Sequence, residues 1–335
     1  MSLADSICLV GAGAWGTAVA NILAKKGNLV HLWDNNPLVL SSILSHRIND
    51  PYLPGIDLSA NLIPLPSLPD LVKKATLLII AVPSKYLPDM LGTISPFVTP
   101  SIRILALTKG LVFEEKPLLV TDLCQKYLPE VLLSHIAVLS GPNFAVEIAK
   151  DYPAASVVAG TEIDYLQDLQ ALLSTIHFRV YTNTDLKGVQ LGGMMKNAIA
   201  LSAGIIDGMA LGMNLKSALL VRGVAEMCRV FTALGCSPQT LYGLSGLGDL
   251  ITTSMSDLSR NHWAGEQIGK GLTLREVQSF GKTVEGIETL PALIKLAELY
   301  QVDVPICQET YQIVLKGKPV KEAINALMGR KVKAE

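Results

Sequence analysis

A glycine-rich turn near the N-terminus has the spacing of a dinucleotide-binding loop. Gly11, Gly13 and Gly16 follow a short apolar run and precede an amphipathic one, a pattern that indicates a strand, a tight turn and the start of a helix. In such a turn the first glycine permits the bend, the second lets a pyrophosphate approach the backbone, and the third lets the helix pack closely on the strand. The helix N-terminus would then face the phosphates. Methyltransferases that use S-adenosylmethionine have a related turn, so the motif alone leaves the class of ligand open.

An acidic residue stands where a ribose-binding residue is expected. Asp34 ends the second apolar run, about 20 residues beyond the turn, where a carboxylate can accept a hydrogen bond from a ribose 2′-hydroxyl. A neighbouring arginine would suit the 2′-phosphate of NADP, but Asn35 and Asn36 follow instead. The sequence therefore predicts that the cofactor is NAD or NADP, with a preference for NAD. A solvated aspartate in a turn is the alternative.

Two lysines have positions suited to catalysis or substrate binding. Lys109 follows an apolar strand run, so we expect it at the carboxyl end of a strand, where open α/β sheets bind ligands; taken singly, it could equally be a solvated loop residue. Lys196 lies in a mostly apolar helical stretch, where a lysine either extends to solvent or is held by partners. Such a lysine is suited to general acid–base chemistry, and we predict that it is catalytic. Gly192, one turn earlier, either leaves room for a ring beside the ammonium or permits close helix packing.

Two further segments are suited to a phosphate group. The residues Ser-Gly-Pro-Asn at 140–143 follow a strand run and precede a helical one, so their backbone N–H groups could face an anion. Arg260 and Asn261 stand at a predicted helix start, where guanidinium donors and the helix dipole would act together. A surface salt bridge is the alternative role for Arg260. We expect His262, the next residue, to be packed or solvated rather than a catalytic base.

Composition and charge restrict the class of protein. The chain has 335 residues, of which 50% are apolar and 17% charged, and this length suggests about two domains. A net charge of −1 gives no field that would attract nucleic acid. Five cysteines without a C-x-x-C pair and five histidines without ligand spacing indicate neither disulfides nor a metal site. Since no membrane span or signal peptide is visible, we expect a cytoplasmic protein, and a homo-oligomer would bury part of the apolar surface.

The first 185 residues alternate apolar strand patterns with helical ones. Continuous apolar strands separated by helices are typical of a parallel sheet covered on both faces, and we predict a doubly wound, Rossmann-type α/β domain at 1–185 that binds NAD(P). The predicted strands are 7–10, 29–33, 77–82, 103–107, 136–139, 155–159 and 178–181, with helices at 15–26, 86–91, 118–127 and 165–173. Five prolines between 50 and 69 argue against a regular helix there and indicate an extended surface connection.

Beyond residue 185 the strand signal stops. The patterns that follow predict an all-α domain at 186–335, expected to bind the substrate. Its predicted helices are 186–209, 215–234, 261–270, 274–280, 289–300, 306–315 and 320–329. Start and stop signals agree with these bounds, because Pro238 can open a helix, Thr273 can cap another, and Gly235 and Gly271 can end two.

Taken together, these motifs resemble the bacterial-type NAD(P)-dependent glycerol-3-phosphate dehydrogenases. The matching segments run in order through nearly the whole chain: GAGAWGTA at 11–18, YLPG at 52–55, AVPS at 81–84, TKG at 108–110, SGPNFA at 140–145, FRVYTN at 178–183, GVQLGG at 188–193, KN at 196–197, GLGDL at 246–250, SRN at 259–261 and VEG at 284–286. The resemblance implies reversible reduction of dihydroxyacetone phosphate to sn-glycerol 3-phosphate for phospholipid synthesis. It also implies a cytoplasmic homodimer.

The resemblance assigns roles to individual residues. Lys196 matches the family's catalytic lysine, and Lys109 would be shared by cofactor and substrate. With the three glycines and Asp34, the residues expected to line the dinucleotide are Ala14, Trp15, Asn35, Asn36, Ala145, Arg260, Thr283 and Glu285. Those expected to contact the substrate, besides the two lysines, are Gly141, Asn143, Asn197, Asp249, Thr253, Ser259, Arg260 and Asn261.

Three features depart from the family pattern. Many members have His or Arg where this chain has Asn35 and Asn36, which argues against a strong NADPH preference. Asn143 stands where Ser or Thr is usual, although an amide can still donate to a phosphate, and Ala14 replaces a common Ser. Two other functions stay open at this point: a β-hydroxyacid dehydrogenase of the 3-hydroxyisobutyrate or 6-phosphogluconate type, and a nucleotide-sensing module without turnover.

Overall fold

Ten strands lie within residues 3–332, the part of the chain that the computed structural model describes. They are β1 Ile7–Val10, β2 Val30–Trp33, β3 Leu62–Pro64, β4 Leu77–Ile80, β5 Arg103–Ala106, β6 Leu111–Phe113, β7 Pro117–Leu119, β8 Ile136–Ser140, β9 Ala154–Gly160 and β10 Phe178–Asn183. Eight of them form one sheet in the order β10-β9-β8-β5-β4-β1-β2-β3, and β6 pairs with β7. All seven strands predicted from the sequence are present, with bounds that agree to within two residues. The predicted α/β fold with a helical C-terminal part is confirmed.

The sheet is mostly parallel, with one antiparallel pair. Every other adjacent pair runs parallel, but β8 and β9 are antiparallel, with Leu139 opposite Val158. The sequence prediction of a wholly parallel sheet was therefore wrong at this point. The helix between β8 and β9, Ala145–Ala149, has five residues and spans about 8 Å. This is too short to carry the chain back across the sheet, as a parallel crossover requires.

Sixteen α-helices accompany the strands in the described residues. They are α1 Ala14–Lys25, α2 Pro37–His46, α3 Leu68–Lys74, α4 Leu87–Ile94, α5 Val120–Tyr127, α6 Ala145–Ala149, α7 Ile163–Leu173, α8 Leu186–Gly208, α9 Met213–Ala233, α10 Pro238–Leu241, α11 Asp249–Ser254, α12 Arg260–Gly269, α13 Leu274–Ser279, α14 Glu285–Leu299, α15 Pro305–Lys316 and α16 Val320–Met328. A π-helical segment, Leu244–Gly248, leads directly into α11. The helices predicted from periodicity are all present, whereas α2, α3 and α11 were not predicted.

The proline-rich stretch is more structured than the sequence indicated. It was predicted to be an extended surface connection, but it contains the edge strand β3, and Leu53, Leu58 and Leu62 are buried. Pro69 occupies the first turn of α3, where Ser67 caps the helix by accepting a hydrogen bond from the Asp70 N–H. A proline in the first turn costs no helical hydrogen bond, so proline density does not exclude a helix that begins at one.

The chain divides into two compact units. The first comprises residues 1–109 and 118–190, and the second comprises 110–117 and 191–335. The boundary expected after residue 185 lies five residues from the end of the first unit. The segment 110–117 groups with the second unit, although the sequence on both sides of it belongs to the first.

Local sequence signals explain where helices of the second unit begin and end. Thr273 accepts a hydrogen bond from the Glu276 N–H while the Glu276 carboxylate accepts one from the Thr273 N–H, which is a complete capping box. Pro238 is the first residue of α10. Gly235 and Gly271, just beyond α9 and α12, have φ of +72° and +102°, the left-handed region that favours glycine after a helix. These predicted signals are confirmed.

One helix in the described residues is long and apolar enough to cross a membrane by length and composition alone. It is α8, and its apolar stretch is buried within the protein. An apolar helix that is buried on all sides is also what a protein core contains. The burial therefore favours a core helix.

Candidate functional site

The glycine-rich turn has the geometry that the sequence predicted for a phosphate-binding loop. Gly11 has φ +101°, and a Cβ there would lie 2.8 Å from the Ala81 carbonyl carbon. A Cβ on Gly16 would collide with the Gly11 carbonyl oxygen. Gly13 differs, because nothing lies within 4 Å of the place a Cβ would take. Two of the glycines are thus required by packing, and the third leaves open space beside the backbone.

The start of α1 is suited to the phosphates of a dinucleotide. Gly13 is the residue that precedes the helix, and no side chain caps it, so the N–H groups of the first turn are available to an anion. The indole Nε1 of Trp15 is buried without a hydrogen-bond partner among the described residues. The residues present therefore fit the pyrophosphate of NAD or NADP.

Asp34 is held at the end of β2 by backbone groups. Its Oδ2 accepts a hydrogen bond from the Ala12 N–H at 2.6 Å, and its Oδ1 accepts one from the Asn36 N–H at 2.9 Å. Each carboxylate oxygen has a further lone pair, so the side chain can still accept from a ribose hydroxyl. The Asn36 side chain caps α2 by accepting from the Leu38 N–H, a role that was not predicted, whereas Asn35 is exposed.

A buried asparagine supports the loop and was missed from the sequence. Asn49 is fully buried, and its Nδ2 donates to the Ala12 carbonyl and to the Thr17 Oγ1, both at 2.7 Å. Thr17 in turn donates to the same carbonyl at 3.1 Å. The signal that could have found it is a lone asparagine at the start of the proline-rich segment, where a polar side chain has no helix to cap.

Lys109 lies at the carboxyl edge of the sheet, as predicted. It follows β5, and its Nζ donates to the Gly141 carbonyl, beyond β8, at 2.9 Å. Gly141 has φ +145°, and a Cβ there would lie 3.1 Å from the Ser156 Cα, so the turn needs a glycine. Because β1, β4, β5 and β8 are parallel neighbours, the loops that carry these residues meet at one edge of the sheet.

Asn143 presents an amide donor near that edge. Its Oδ1 accepts a hydrogen bond from the Ser156 Oγ at 2.6 Å, which orients the amide. Its Nδ2 is buried without a hydrogen-bond partner among the described residues. A buried donor without a partner is costly, and a phosphate or hydroxyl oxygen of a ligand would satisfy it.

In the second unit, Lys196 is a buried charged residue held by two partners. It is 7% exposed, and its Nζ donates to the Asp249 Oδ1 at 2.8 Å and to the Thr253 Oγ1 at 2.6 Å. Thr253 also donates to the Asp249 Oδ1 at 3.1 Å. Because Asp249 and Thr253 lie one turn apart on α11, a single helix fixes both partners. Gly192, one turn before Lys196, packs against the Ser245 carbonyl, which favours close packing as its role.

One of the residues predicted to bind phosphate, Asn261, contacts Asn197, which directly follows Lys196 on α8. Asn261 donates from Nδ2 to the Asn197 Oδ1 at 2.8 Å, and its Oδ1 accepts from the Gly286 N–H at 2.8 Å. Ser259 caps α12 by accepting from the His262 N–H. Arg260, the first residue of α12, is exposed. The first turn of α12 thus carries a buried amide and an exposed guanidinium.

The predicted site residues divide between the two units. Those in the first unit lie in the glycine turn, in the first turn of α1, in loops that follow strands or at the start of α6, and they are Gly11, Gly13, Ala14, Trp15, Gly16, Asp34, Asn35, Asn36, Lys109, Gly141, Asn143 and Ala145. Those in the second unit are Lys196, Asn197, Asp249, Thr253, Ser259, Arg260, Asn261, Thr283 and Glu285. Within the second unit Thr283 is half-buried just before α14, and Glu285 begins that helix.

A further charged cluster was not predicted. The Asp207 Oδ2 accepts a hydrogen bond from the Lys216 Nζ at 2.6 Å and lies 2.6 Å from the His262 Nε2. Burial raises the pKa of the Asp207 carboxyl, but the hydrogen bonds from Lys216 and His262 outweigh it and hold that pKa below its usual value. His262 is buried, so of the two expected environments, packed or solvated, it has the packed one. Between residues 3 and 332, no group of three or more His, Cys, Asp or Glu side chains could hold a metal ion.

A phosphate-binding turn on a Rossmann-type sheet and a buried lysine on a helical unit are the features of two-domain NAD(P)-dependent dehydrogenases. In this class the sheet binds the dinucleotide, and the protein supplies the group that moves a proton. The family described as NAD-dependent glycerol-3-phosphate dehydrogenase N-terminus matches residues 6–165, and the corresponding C-terminus family matches residues 185–325. The chain belongs to the NAD-dependent glycerol-3-phosphate dehydrogenase family.

Individual relatives agree with this assignment. The chain is 39% identical over 335 residues to glycerol-3-phosphate dehydrogenase [NAD(P)+] of Geobacter metallireducens, covering 99% of each chain. It is 41% identical over 327 residues to the enzyme of the same name from Moorella thermoacetica, covering 97% of this chain and 96% of the other. The crystal structure of glycerol-3-phosphate dehydrogenase from Coxiella burnetii superposes with a TM-score of 0.92 at 32% identity, covering 97% of this chain and 99% of that one. These matches confirm the family inferred from the motifs, and dependence on NAD or NADP with it.

Proposed function

We propose that this protein catalyses the reversible reduction of dihydroxyacetone phosphate to sn-glycerol 3-phosphate with NAD(P)H, with Lys196 as the general acid and base. The observation that carries the proposal is the buried Lys196 ammonium, held by Asp249 and Thr253 next to the Asn197–Asn261 pair. Family membership supports the substrate. The carbonyl group of the substrate needs a proton donor, and the cluster supplies one at a fixed place.

The chemistry divides between the cofactor and the protein. The reduced nicotinamide supplies the hydride that adds to the ketone carbon. As negative charge develops on the carbonyl oxygen, the Lys196 ammonium stabilises it and gives it a proton. In the oxidative direction the neutral amine takes the proton from the hydroxyl. Asp249 and Thr253 are positioning residues, because they hold the Lys196 Nζ and do not react.

The first turn of α12 is proposed to bind the substrate phosphate. Arg260 provides a guanidinium fork, and the positive end of the α12 dipole lies at the same place. Asn261 is fixed by Asn197 and Gly286, so it offers a rigid amide. Binding energy from the phosphate, which does not react, then positions the ketone for the hydride step.

The proposal includes a preference for NADH and the assembly expected for the family. Asp34, fixed by the Ala12 and Asn36 N–H groups, supports ribose binding, and no basic residue follows it directly. A homodimer in the cytoplasm is the family expectation, and the low share of charged residues, 17%, supports an apolar surface that is buried on assembly.

Replacement of Lys196 tests the role of the ammonium. Lys196→Met keeps the length of the side chain but removes the proton donor, so kcat should fall by at least about 100-fold, while the affinity for NADH measured by fluorescence titration should stay within about threefold. The matched control is Lys187→Met, since Lys187 lies on the same helix but is exposed. It should keep full activity. A Lys196→Met enzyme with near-normal kcat would show that the lysine is not the acid.

A further inference from the structure

The backbones of α8 and α12 are in direct contact. A Cβ placed on Gly204 would collide with the His262 carbonyl oxygen, and one placed on Gly265 would collide with that of Leu201. The glycines one turn further along, at 208 and 269, make the equivalent contacts with the carbonyls of residues 266 and 205. Since the contacts advance by four residues on both helices together, the two helices run in the same direction.

The glycines of this crossing bring the two helix backbones into contact. Larger side chains normally interlock as ridges and grooves, and a surface of bare backbone has none to interlock. Two side-chain hydrogen bonds link α12 to α8 at this crossing. One joins Asn261 to Asn197 at 2.8 Å, and the other joins the His262 Nε2 to the Asp207 Oδ2 at 2.6 Å. Both arise in the first turn of α12.

The His262 bond is built as a fixed contact. His262 is 4% exposed, and its Nδ1 has no hydrogen-bond partner among the described residues. Because an ionised carboxylate only accepts hydrogen bonds, the ring must carry its proton on Nε2 to bind Asp207. Asp207 is itself held by Lys216 of α9 at 2.6 Å. The His262 backbone N–H donates to the Ser259 Oγ, which caps α12. The backbone and the side chain of His262 therefore both help to fix the position of this turn.

We propose that His262 is a positioning residue for substrate phosphate binding: its Nε2–H bond to Asp207 sets the place of the first turn of α12 on α8. That turn carries Arg260 and Asn261, and α8 carries Lys196. The inference rests on the proposed function, which assigns the phosphate to this turn. The bond touches neither Asp249 nor Thr253, the partners that hold the Lys196 Nζ. Its loss should therefore weaken binding of the phosphorylated substrate more than it slows the chemical step.

Two variants at this position separate the hydrogen bond from the shape of the side chain. His262→Leu removes the donor, whereas His262→Gln keeps an amide N–H at a length similar to Nε2. We expect His262→Leu to raise KM for dihydroxyacetone phosphate about tenfold, the effect of one lost hydrogen bond to a charged group, with kcat and the KM for NADH each changed less than about threefold. His262→Gln should return KM to within about threefold of the wild type.

The outcomes separate a failure of the positioning role of His262 from a failure of the proposed catalytic function. If the wild type does not reduce dihydroxyacetone phosphate, the proposed function fails. If the wild type is active but His262→Leu keeps its KM, or His262→Gln is as impaired as His262→Leu, the positioning role is wrong. Should His262→Leu not fold, ¹⁵N-histidine NMR of the wild type decides, with the His262 signal assigned by its loss in His262→Gln. The ring must carry its proton on Nε2 and its signal must shift when inorganic phosphate is added; a proton on Nδ1, or no response to phosphate, overturns the inference.

Discussion

Two buried charged side chains in the second unit are stabilised in different ways. Lys196 is paired with a carboxylate, since the side chains of Lys196 and Asp249 are 9% and 3% exposed and 2.8 Å apart. Glu226, on α9, lies 4.0 Å from the Arg229 guanidinium and accepts hydrogen bonds from the Ile306 and Cys307 N–H groups at the start of α15. A buried charge with incomplete compensation favours its neutral form. Burial accordingly raises the pKa of Glu226 to about 7, against the lowering effect of these hydrogen bonds.

This raised pKa makes the free energy of unfolding depend on pH. Between the ordinary value of 4.5 and the folded value of about 7, the folded state holds the proton more tightly than the unfolded chain. The contribution of Glu226 is therefore greatest below pH 4.5 and falls as pH rises to about 7, by roughly 3 kcal/mol. Glu226→Gln imitates the protonated carboxyl, so it should remove this decline. Urea unfolding at pH 5 and pH 7.5 measures it, and an equal pH dependence in both proteins would contradict the account.

Residue types and their neighbours predicted part of the site. Lys196 was predicted to be catalytic because a lysine in an apolar helix must extend to solvent or be held by partners. Arg260 was predicted to bind phosphate because it stands at a helix start. Asn49 and the Asp207–Lys216–His262 cluster were not, because each depends on residues far apart in the chain that only the fold brings together. His262, the residue after Asn261, was expected to be packed or solvated, and its hydrogen bond to Asp207 could be found only from the fold.

At the scale of elements, glycines decide how closely helices approach. Gly204 of α8 has no room for a Cβ against the α12 backbone. Gly92 of α4 has ordinary space, since its nearest neighbour, in the Tyr127 ring, would be 3.9 Å away. Neither glycine has a left-handed φ. The same substitution therefore meets opposite conditions in the two helices.

Glycine-to-alanine substitutions at these two positions should have effects of opposite sign. Gly204→Ala forces α8 and α12 apart and should lower the free energy of unfolding by about 3 kcal/mol or more. Gly92→Ala should raise it by about 0.5–1 kcal/mol, because alanine loses less backbone entropy in a helix. Denaturant unfolding of both variants tests this. Equal effects would mean that the backbone contact is not tight.

The direction of strands was less predictable than their position. Apolar runs located seven strands of the sheet, because buried strands need apolar residues on both faces. The antiparallel course of β9 followed from the short α6 before it, and a run of apolar residues carries no information on direction. The edge strand β3 was missed for a related reason, since it has three residues within a proline-rich segment.

At the scale of the whole molecule, the sequence predicted two parts but treated each as continuous. Half of the residues, 50%, are apolar, which is enough to form the hydrophobic cores of two domains. The segment 110–117 belongs to the second unit, and nothing in its composition indicates this, because the grouping depends on which surfaces it packs against. The matched families, at 6–165 and 185–325, cover both parts.

The proposed reduction of dihydroxyacetone phosphate is tested most directly by an absorbance assay. The purified full-length protein is mixed with dihydroxyacetone phosphate and either NADH or NADPH, in separate runs, and the nicotinamide absorbance is followed. We expect rapid oxidation of the cofactor, faster with NADH, because Asp34 is proposed to bind the ribose and Asn35 and Asn36 follow it in place of a basic residue. 3-Hydroxyisobutyrate and 6-phosphogluconate, tested with NAD+ and NADP+, should give no comparable rate. A protein that binds the dinucleotide but oxidises neither cofactor with dihydroxyacetone phosphate would contradict the account.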